Sequence, residues 1–208
     1  AILNSEHKIL AIVAQPDKAN SRGGKVKFNA LKQFALNNNI PLHQFAKLNI
    51  EGEEVLRGYN ADFFVTASYG QIIKQNILDL PKYSIVNVHG SLLPKYRGPA
   101  PIQWSIINGE KVTGVTTFLL DEHIDTGEII FTESVEIERQ DNIGTLHDKL
   151  MEVGSRLVCK TVDALQSGNV QTQPQTQSIE SVPEYARYAP KLTPATGKID
   201  WNSSAEQI

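Results

Sequence analysis

The sequence predicts an α/β fold: a mostly parallel, twisted sheet with helices on both faces, followed by an antiparallel strand pair after residue 110. Three observations support this prediction. Before residue 90, short apolar segments alternate with segments of helical periodicity, which is typical of βαβ units. After Gly109 the pattern changes to an alternation of apolar and polar residues, which is typical of antiparallel strands. A long amphipathic helix is then predicted from Thr145 onward.

The first half of the chain alternates predicted strands and helices. Each strand is a short apolar run rich in β-branched or aromatic residues, and the first ends at the turn signal Gln15-Pro16-Asp17. The first helix has apolar residues at helical spacing, and the Asn37-Asn38-Asn39 run ends it. The predicted strands are Lys8–Ala14, Pro41–Phe45, Ala61–Ala67 and Ser84–Val88, the helices are Phe28–Asn37 and Glu51–Gly58, and a helical turn covers Ile72–Leu78.

The second half has a different pattern. Val112–Leu120 and Glu128–Ile137 alternate apolar and polar residues on either side of a link that contains Gly127, which predicts an antiparallel pair. Apolar residues then recur at helical spacing over Leu146–Leu165, which predicts one long helix with an apolar side. Gly168–Gln177 is polar, rich in glutamine and without periodicity, so we expect a linker or a surface crossing.

The composition excludes several classes of protein. With 208 residues, of which 40% are hydrophobic and 21% charged, the chain is large enough for one core and too apolar to be disordered. Cys159 is the single cysteine, which excludes an intrachain disulfide and a cysteine-rich zinc site and favours a reducing, cytoplasmic compartment. The longest apolar runs, such as Ile9–Ala14, are too short to cross a membrane, so no membrane association is expected.

Common cofactor and hydrolase motifs are absent from the sequence. It contains neither G-x-G-x-x-G nor G-x-x-x-x-G-K-[ST], so the predicted sheet does not by itself indicate a dinucleotide or ATP site. It also lacks the G-x-S-x-G elbow of serine hydrolases. No two histidines have metal-ligand spacing on one helix, so no metal is expected.

Asn87 and His89 are the first candidates for chemistry. They are two positions apart at the end of a predicted strand, so their side chains share one face at the carboxyl edge, where open α/β sheets bind ligands. Glycines and prolines from Gly90 to Pro101 then predict a rigid, irregular loop. An isolated pair of this kind more often satisfies loop backbone. Asp121 and Asp125 lie in a later turn, where acidic residues are usually only solvated.

Two longer motifs contain these residues and resemble those of a known family. Residues 87–101 have the sequence N-V-H-G-S-L-L-P-x-x-R-G-x-x-P, and residues 113–127 have T-G-V-T-x-x-x-x-D-x-x-x-D-T-G. Together they resemble the signature of the 10-formyltetrahydrofolate-dependent formyltransferases, and the resemblance extends over essentially the whole chain. Three flanking features are similar to the members that act on initiator Met-tRNA: Gln15-Pro16-Asp17 with the basic loop around Arg22-Gly23-Gly24-Lys25, Tyr185-Ala186 with Lys191-Leu192, and Gly197-Lys198-Ile199-Asp200-Trp201.

The resemblance implies a Rossmann-like formyltransferase fold and a division of the chain. Residues 1–185 would form the catalytic domain, whose first strand and Gly-Thr-Pro turn are expected to precede Ala1. Residues 186–208 would form a linker and the start of a C-terminal β-barrel domain. The capping-box pattern Ser203-Ser204-Ala205-Glu206 announces a further helix, so a longer protein is expected.

The resemblance also implies the reaction. A formyl group would pass from N10 of 10-formyltetrahydrofolate, a co-substrate, to the α-amine of methionine on initiator tRNA, in translation initiation and without a metal. A carboxamide and an imidazole, from Asn87 and His89, suit the oxyanion that forms on the carbonyl, and His89 can relay a proton between the two nitrogens. The resemblance assigns to Asp125 the role of orienting that imidazole.

Binding residues are implied in the same way. The loop after Asn87 and His89 is expected to line the folate site, and the turn before Asp125 to meet the pterin ring. Ile73 would complete an apolar slot, although core packing explains these apolar residues equally well. The basic loop is expected to contact tRNA, although most such loops are only solvated. The predicted residues are Ser91, Leu92, Leu93, Pro94, Asp121 and Ile124 for folate, and Arg22, Lys25 and Lys27 for tRNA.

Several alternatives stay open. A formyltransferase acting on an amino-sugar nucleotide or glycinamide ribonucleotide would share the three catalytic residues but would have no use for the basic loop. A formyltetrahydrofolate hydrolase would use the same residues to activate water. A non-catalytic module that binds tRNA or folate would not need a proton relay. We expect a cytoplasmic monomer whose partners are initiator Met-tRNA and 10-formyltetrahydrofolate.

Overall fold

Strands and helices alternate along the chain in the computed structural model, which describes residues 1–17, 29–168, 170–176 and 178–205. The strands are β1 (Ile12–Ala14), β2 (Leu42–Gln44), β3 (Phe63–Thr66), β4 (Ser84–His89), β5 (Val112–Leu119) and β6 (Ile129–Glu136). The helices are α1 (Ala30–Asn37), α2 (Leu48–Glu51), α3 (Glu53–Arg57), α4 (Gln75–Leu78), α5 (Pro101–Ile107) and α6 (Ile143–Gln166).

The strands form two sheets. β1 and β2 pair in parallel, and β3, β4, β5 and β6 lie side by side in that order in a second sheet. β3 and β4 are parallel, whereas β5 runs antiparallel to both β4 and β6. The predicted α/β class and the predicted β5–β6 pair are therefore confirmed. β5 also pairs antiparallel with β4, which the sequence does not indicate. The alternation of apolar and polar residues within a strand does not show which strand lies on its other side.

Helix α6 covers one face of the four-stranded sheet, as the apolar periodicity predicts. It begins at a capping box, in which the Asn142 side chain accepts from the Thr145 N–H and the Thr145 hydroxyl accepts from the Asn142 N–H. Its apolar side packs on Val115 of β5 through Leu146 and Leu150. No helix in the described part of the chain, α6 included, is both long and apolar enough to cross a membrane.

A second apolar cluster covers the opposite face of β4. Side chains alternate along a strand, so Ile85, Asn87 and His89 lie on this face, whereas Val88 packs with the residues under α6. β4 is therefore covered on both faces, and its apolar residues Ile85, Val86 and Val88 point to both sides of the sheet. The cluster consists of Phe45, Leu48, Leu56, Ile73, Ile77 and Ile85.

Residues 179–190, called the strap below, pack against residues 90–100, the loop that follows β4. The buried side chain of Tyr96 packs on Ala186 and Ala189, neither of which has exposed surface. The Tyr96 N–H also donates to the Ala186 carbonyl at 2.7 Å. The packed part of the chain therefore continues past residue 185.

Two helices differ from their predictions. The sequence predicts an irregular loop through Pro101, but α5 begins there, because a proline in the first helical turn has no N–H bond to lose. The helix predicted over Glu51–Gly58 begins earlier, at Leu48, and is interrupted at Gly52 between α2 and α3.

Candidate active site

Asn87 lies on β4 between Thr66 of β3 and Phe118 of β5. The Thr66 hydroxyl donates to Asn87 Oδ1 at 2.9 Å, which turns the amide oxygen toward β3. Among the described residues, the Asn87 NH2 group makes no hydrogen bond. The amide is therefore oriented by its neighbour, and its NH2 group is available as a donor.

His89 ends β4 and is only 7% exposed. Its Nε2 lies 2.9 Å from the Tyr96 carbonyl oxygen. Because a carbonyl oxygen only accepts, Nε2 carries the proton in this bond. Nδ1 lies 3.7 Å from Asp125 Oδ2. In the neutral ring Nδ1 therefore has a lone pair, and a proton taken up there would face the carboxylate.

Asp125 lies in the turn between β5 and β6, with a left-handed backbone at φ +54° that non-glycine residues rarely adopt. Its Oδ2 accepts from the Gly98 N–H at 2.8 Å. Gly98 has φ +115°, and a Cβ there would lie 2.7 Å from Tyr188 Cε2 and 2.8 Å from the Ala189 oxygen. Only glycine fits this position, so the Asp125 carboxylate is fixed by a backbone N–H that a larger residue could not provide.

The structure therefore brings the three predicted catalytic residues to one place. Asn87 and His89 share a face at the carboxyl end of β4, and the Asp125 side chain reaches the same ring from the β5–β6 turn. The His89 and Asp125 side chains are 8% and 14% exposed, so little water lies between the ring and the carboxylate.

Gln175 contacts this site, and the sequence does not indicate it. It lies in Gly168–Gln177, predicted to be a linker or surface crossing, yet it is only 2% exposed. Its Oε1 accepts from Arg97 Nε at 3.0 Å and Nη2 at 2.7 Å, and its Nε2 donates to the carbonyls of Asp125 at 3.1 Å and Gly127 at 2.7 Å. The prediction is wrong at this position, because a single buried side chain in an irregular segment produces no periodicity.

Arg97 connects the loop after β4 to this glutamine. Burial lowers the pKa of the Arg97 guanidinium below its ordinary value, and the negative charges of Asp121 and Asp125 act in the opposite direction. The guanidinium remains charged at neutral pH, so it adds a positive charge close to Asp125.

The loop after β4 is held by hydrogen bonds within the loop and by hydrogen bonds to Thr116 of β5. The Ser91 hydroxyl donates to the Lys95 carbonyl at 2.6 Å. The Thr116 hydroxyl donates to the Ser91 carbonyl at 2.7 Å and accepts from the Leu93 N–H at 3.0 Å. The peptide bond between Leu93 and Pro94 is cis. Ser91 is fully buried, so its hydroxyl holds the loop in shape.

The apolar residues predicted to line a pterin slot lie in different surroundings. Ile73 is buried in the cluster of α2, α3 and α4, which gives it a packing role. Leu92 packs so closely on Gly114 that a Cβ there would lie 2.5 Å from Leu92 Cδ2. Ile124 is 49% exposed in the β5–β6 turn. A folate slot formed by these three residues stays a prediction.

Two clefts flank the loop after β4. Leu92 lines the larger, of about 580 Å³, and Leu93 and Pro94 line the smaller, of about 400 Å³. Neither cleft is lined by Asn87 or His89. The larger cleft is bounded by Lys95, Tyr96, Glu110 and Tyr185 in addition to Leu92.

The turn before Asp125 is closed by Asp121. Its carboxylate accepts from the Thr126 hydroxyl at 2.7 and 2.8 Å and from the His123 N–H at 3.0 Å. The Asp121 side chain is therefore engaged inside the turn, and the half-exposed Ile124 lies on its outer side.

The remaining predictions concern the tRNA-binding residues and a metal site. Arg22, Lys25 and Lys27 lie outside the described residues. Within the described ranges, no group of three or more histidine, cysteine, aspartate or glutamate side chains is placed to hold a metal ion.

Known proteins resemble this chain in sequence and in fold. A sequence family described as formyl transferase matches residues 2–162. The chain belongs to the formyltransferase family. Solved structures of this family include phosphoribosylglycinamide formyltransferase from Bacillus halodurans, with a TM-score of 0.57 and 34% identity over 61% of this chain and 70% of that chain. A formyltransferase from Anoxybacillus kamchatkensis, with 24% identity and a TM-score of 0.60 over 86% of this chain and 84% of its own, shares the fold.

Curated formyltransferases are similar over almost the whole chain. The methionyl-tRNA formyltransferase of Thermodesulfovibrio yellowstonii is 42% identical over 100% of this chain and 66% of its own length. That of Caldanaerobacter subterraneus is 44% identical over 97% of this chain and 64% of its own length. The chain therefore spans just under two thirds of the length of these relatives.

Proposed function

We propose that this chain is the catalytic domain of a methionyl-tRNA formyltransferase, which moves a formyl group from 10-formyltetrahydrofolate to the α-amine of methionine on initiator tRNA. The observation that carries the proposal is the convergence of Asn87, His89 and Asp125 at one end of β4 in a member of the formyltransferase family. The curated relatives of that name, 42% and 44% identical, favour this member of the family.

Asn87 is proposed to stabilise the oxyanion. Attack of the amine on the formyl carbon places negative charge on the carbonyl oxygen. The Asn87 NH2 group is oriented by the Thr66 hydroxyl, so it can donate to that oxygen without first breaking another bond among the described residues. One fixed donor to such an oxygen is worth about 3–4 kcal/mol.

His89 is proposed to move the proton. The amine must lose a proton as it bonds to carbon, and N10 must gain one as its bond to carbon breaks. Nδ1 takes the proton, because Nε2 already donates to the Tyr96 carbonyl. Both N–H groups of the resulting imidazolium face acceptors, the Tyr96 oxygen at 2.9 Å and the Asp125 carboxylate at 3.7 Å. Asp125 therefore stabilises the charged ring and keeps it in place.

10-Formyltetrahydrofolate is the proposed co-substrate, and the proposed steps use no metal. The turn closed by Asp121 carries the half-exposed Ile124 directly before Asp125, which suits a ring with an apolar face and polar edges. Residues 91–94 are proposed to form the other wall. The Anoxybacillus kamchatkensis neighbour was solved with tetrahydrofolate, which supports a folate ligand for this fold.

Initiator Met-tRNA is the proposed second substrate. Arg22, Lys25 and Lys27, which lie outside the described residues, are proposed to contact its phosphates. We place the protein in the cytoplasm, where translation takes place and a single cysteine stays reduced, and we propose that it acts as a monomer.

The catalytic domain is proposed to extend to about residue 190 rather than 185, which is where the sequence places its boundary. The packing of Ala186 and Ala189 on Tyr96 supports this extension. The Trp104 indole N–H also donates to the Pro190 carbonyl at 2.7 Å. A cut at residue 185 would therefore remove part of the strap that holds the loop after β4.

An acceptor competition tests this proposal. The full-length protein is given 10-formyltetrahydrofolate together with initiator Met-tRNA, glycinamide ribonucleotide, an amino-sugar nucleotide and water as competing acceptors, and each formylated product is quantified. Formylation of Met-tRNA in preference to the others is expected. Preferred formylation of a small amine would support a different formyltransferase, release of formate would support a hydrolase, and no turnover would support a binding module.

A further inference from the structure

We propose that Gln175 is a positioning residue for Asp125: its amide joins Arg97 to the β5–β6 turn and so fixes the carboxylate against His89. The proposal rests on the proposed function only in giving Asp125 a role in formyl transfer. Gln175 is distant in sequence from the residues it joins, and neither family motif includes it.

The four hydrogen bonds of Gln175 require a carboxamide. Its Oε1 accepts two N–H groups from Arg97, at 3.0 and 2.7 Å. Its Nε2 donates to the Asp125 carbonyl at 3.1 Å and to the Gly127 carbonyl at 2.7 Å. One end of the side chain must therefore accept and the other must donate. A glutamate would turn an acceptor toward two carbonyls, and an apolar side chain would leave all four partners without this bond.

These bonds act on the two segments that set the position of the Asp125 carboxylate. The first segment is the turn itself, where Asp125 has φ +54° and its own carbonyl is held by Gln175. The second is the loop after β4, where Arg97 precedes Gly98, whose N–H donates to Asp125 Oδ2 at 2.8 Å. One amide therefore spans both segments, at a position that is 2% exposed.

Gln175 is uncharged, which affects the electrostatics around Asp125. Arg97 lies close enough to Asp125 and Asp121 for their charges to raise the pKa of its guanidinium against the lowering effect of burial. A carboxylate at position 175 would bind that guanidinium and add a negative charge beside Asp125. Gln175→Glu therefore changes the charge and the hydrogen bonding of the site at almost constant volume.

The test compares formyl transfer by the full-length protein with that of Gln175→Glu. We expect kcat to fall on the order of 100-fold, because a shift of about 1 Å in an oriented group has that effect. KM for Met-tRNA should stay nearly constant, because none of the four hydrogen bonds of Gln175 is made to a residue proposed to contact tRNA. Gln171→Glu is the matched control: it places the same charge at an exposed position of the same segment and should leave kcat unchanged.

A double-variant cycle separates positioning from a general loss of structure. In an Asp125→Ala background, Gln175→Glu should lower kcat no further, because the side chain through which it acts is gone. If the two losses multiply, Gln175 does not act through Asp125 and the proposal is overturned. Gln175→Met, which is neutral and similar in size, replaces Gln175→Glu if the charged variant does not fold, with the same expected result.

The outcomes distinguish this proposal from the proposed function. If the wild type formylates Met-tRNA and Gln175→Glu is equally fast, the positioning role is wrong and the proposed function stands. If the wild type prefers another amine, the proposed substrate is wrong, and the same variants are then compared with that amine as acceptor. A kcat loss confined to Gln175→Glu and absent from Gln171→Glu supports the positioning role with either acceptor.

Discussion

Two clusters of polar side chains lie near the carboxyl ends of the parallel strand pairs β1–β2 and β3–β4, and they differ in how their hydrogen bonds are used. The β1–β2 cluster consists of Asp17, Lys32 and Gln44. The Lys32 ammonium contacts the Asp17 carboxylate and lies 3.3 Å from Gln44 Oε1. The Gln44 NH2 group donates to the Gln15 carbonyl at 2.9 Å and to Asp17 Oδ1 at 3.3 Å. The charges and the amide of this cluster are therefore paired with one another.

The site cluster, which consists of Asn87, His89 and Asp125, is paired differently. Thr66 orients Asn87 and the Tyr96 carbonyl orients His89, but the Asn87 NH2 group and the His89 Nδ1 make no hydrogen bond to a described residue. Position at the end of a strand therefore does not by itself identify a site. A reactive site is one where the neighbours fix a side chain and leave its reactive atom available.

The largest effect should come from the site cluster. Asn87→Ala and His89→Ala should each lower kcat about 1,000-fold, because each removes a group proposed to act on the charge or the proton formed during transfer. The matched change in the β1–β2 cluster, Gln44→Ala, should lower Tm and leave kcat unchanged. Steady-state kinetics and thermal unfolding of the three variants check this contrast. Near-normal turnover of Asn87→Ala or His89→Ala would remove that residue from the mechanism.

A smaller loss of activity should follow from disturbing the backbone that holds Asp125. Gly98→Ala should lower kcat about 10- to 100-fold, because its Cβ would lie 2.7 Å from Tyr188 Cε2 and the loop must shift away from the carboxylate. Gly168→Ala is the control, since Gly168 also has a positive φ, +70°, but has open space around its Cβ position. Gly168→Ala should lower the free energy of unfolding by about 1 kcal/mol and leave kcat unchanged. Equal kcat values for the two variants would show that the Gly98 N–H does not position Asp125.

The β1–β2 cluster should affect stability and its pH dependence instead of catalysis. The hydrogen bond from Lys32, together with one from Gln44, lowers the pKa of Asp17 below its ordinary value. A carboxyl whose pKa is lowered by folding stabilises the protein at pH values above its ordinary pKa. This stabilisation is lost as the pH falls through the folded-state pKa. Lys32→Met should therefore lower Tm at about pH 7, and its difference from the wild type should shrink toward about pH 3. A difference that is constant with pH would contradict a structural Asp17–Lys32 pair.

The smallest effect is expected from Tyr96→Phe. The Tyr96 carbonyl holds His89, whereas its hydroxyl donates to Glu110 Oε1 at 2.8 Å and accepts from Asn108 Nδ2 at 3.1 Å. Burial raises the pKa of this hydroxyl, so it stays a neutral donor throughout the assay range. The variant keeps the carbonyl, so kcat should be unchanged, and the lost hydroxyl should cost about 1 kcal/mol in denaturant unfolding. A large kcat loss would show that the hydroxyl side of Tyr96 also supports the site.

Periodicity in the sequence predicts the order of the elements and the common face of Asn87 and His89, because both depend on local spacing. It does not reveal Gln175, whose burial results from contacts with segments far away in the chain. It also misses α5, because prolines disfavour most helical positions but suit the first turn. Asp125 is identified through the family motif alone, since nothing local distinguishes it from a solvated turn residue.

The proposed mechanism requires His89 and Asp125 to act as one unit in formyl transfer to Met-tRNA. The direct measurement is the single-turnover rate of the full-length protein at saturating concentrations of both substrates, for the wild type, His89→Ala, Asp125→Ala and the double variant. The double variant should be no slower than His89→Ala, because without the imidazole Asp125 has no charged ring to stabilise. Multiplied losses in the double variant, or a wild-type rate for Asp125→Ala, would show that the two residues do not act as one unit.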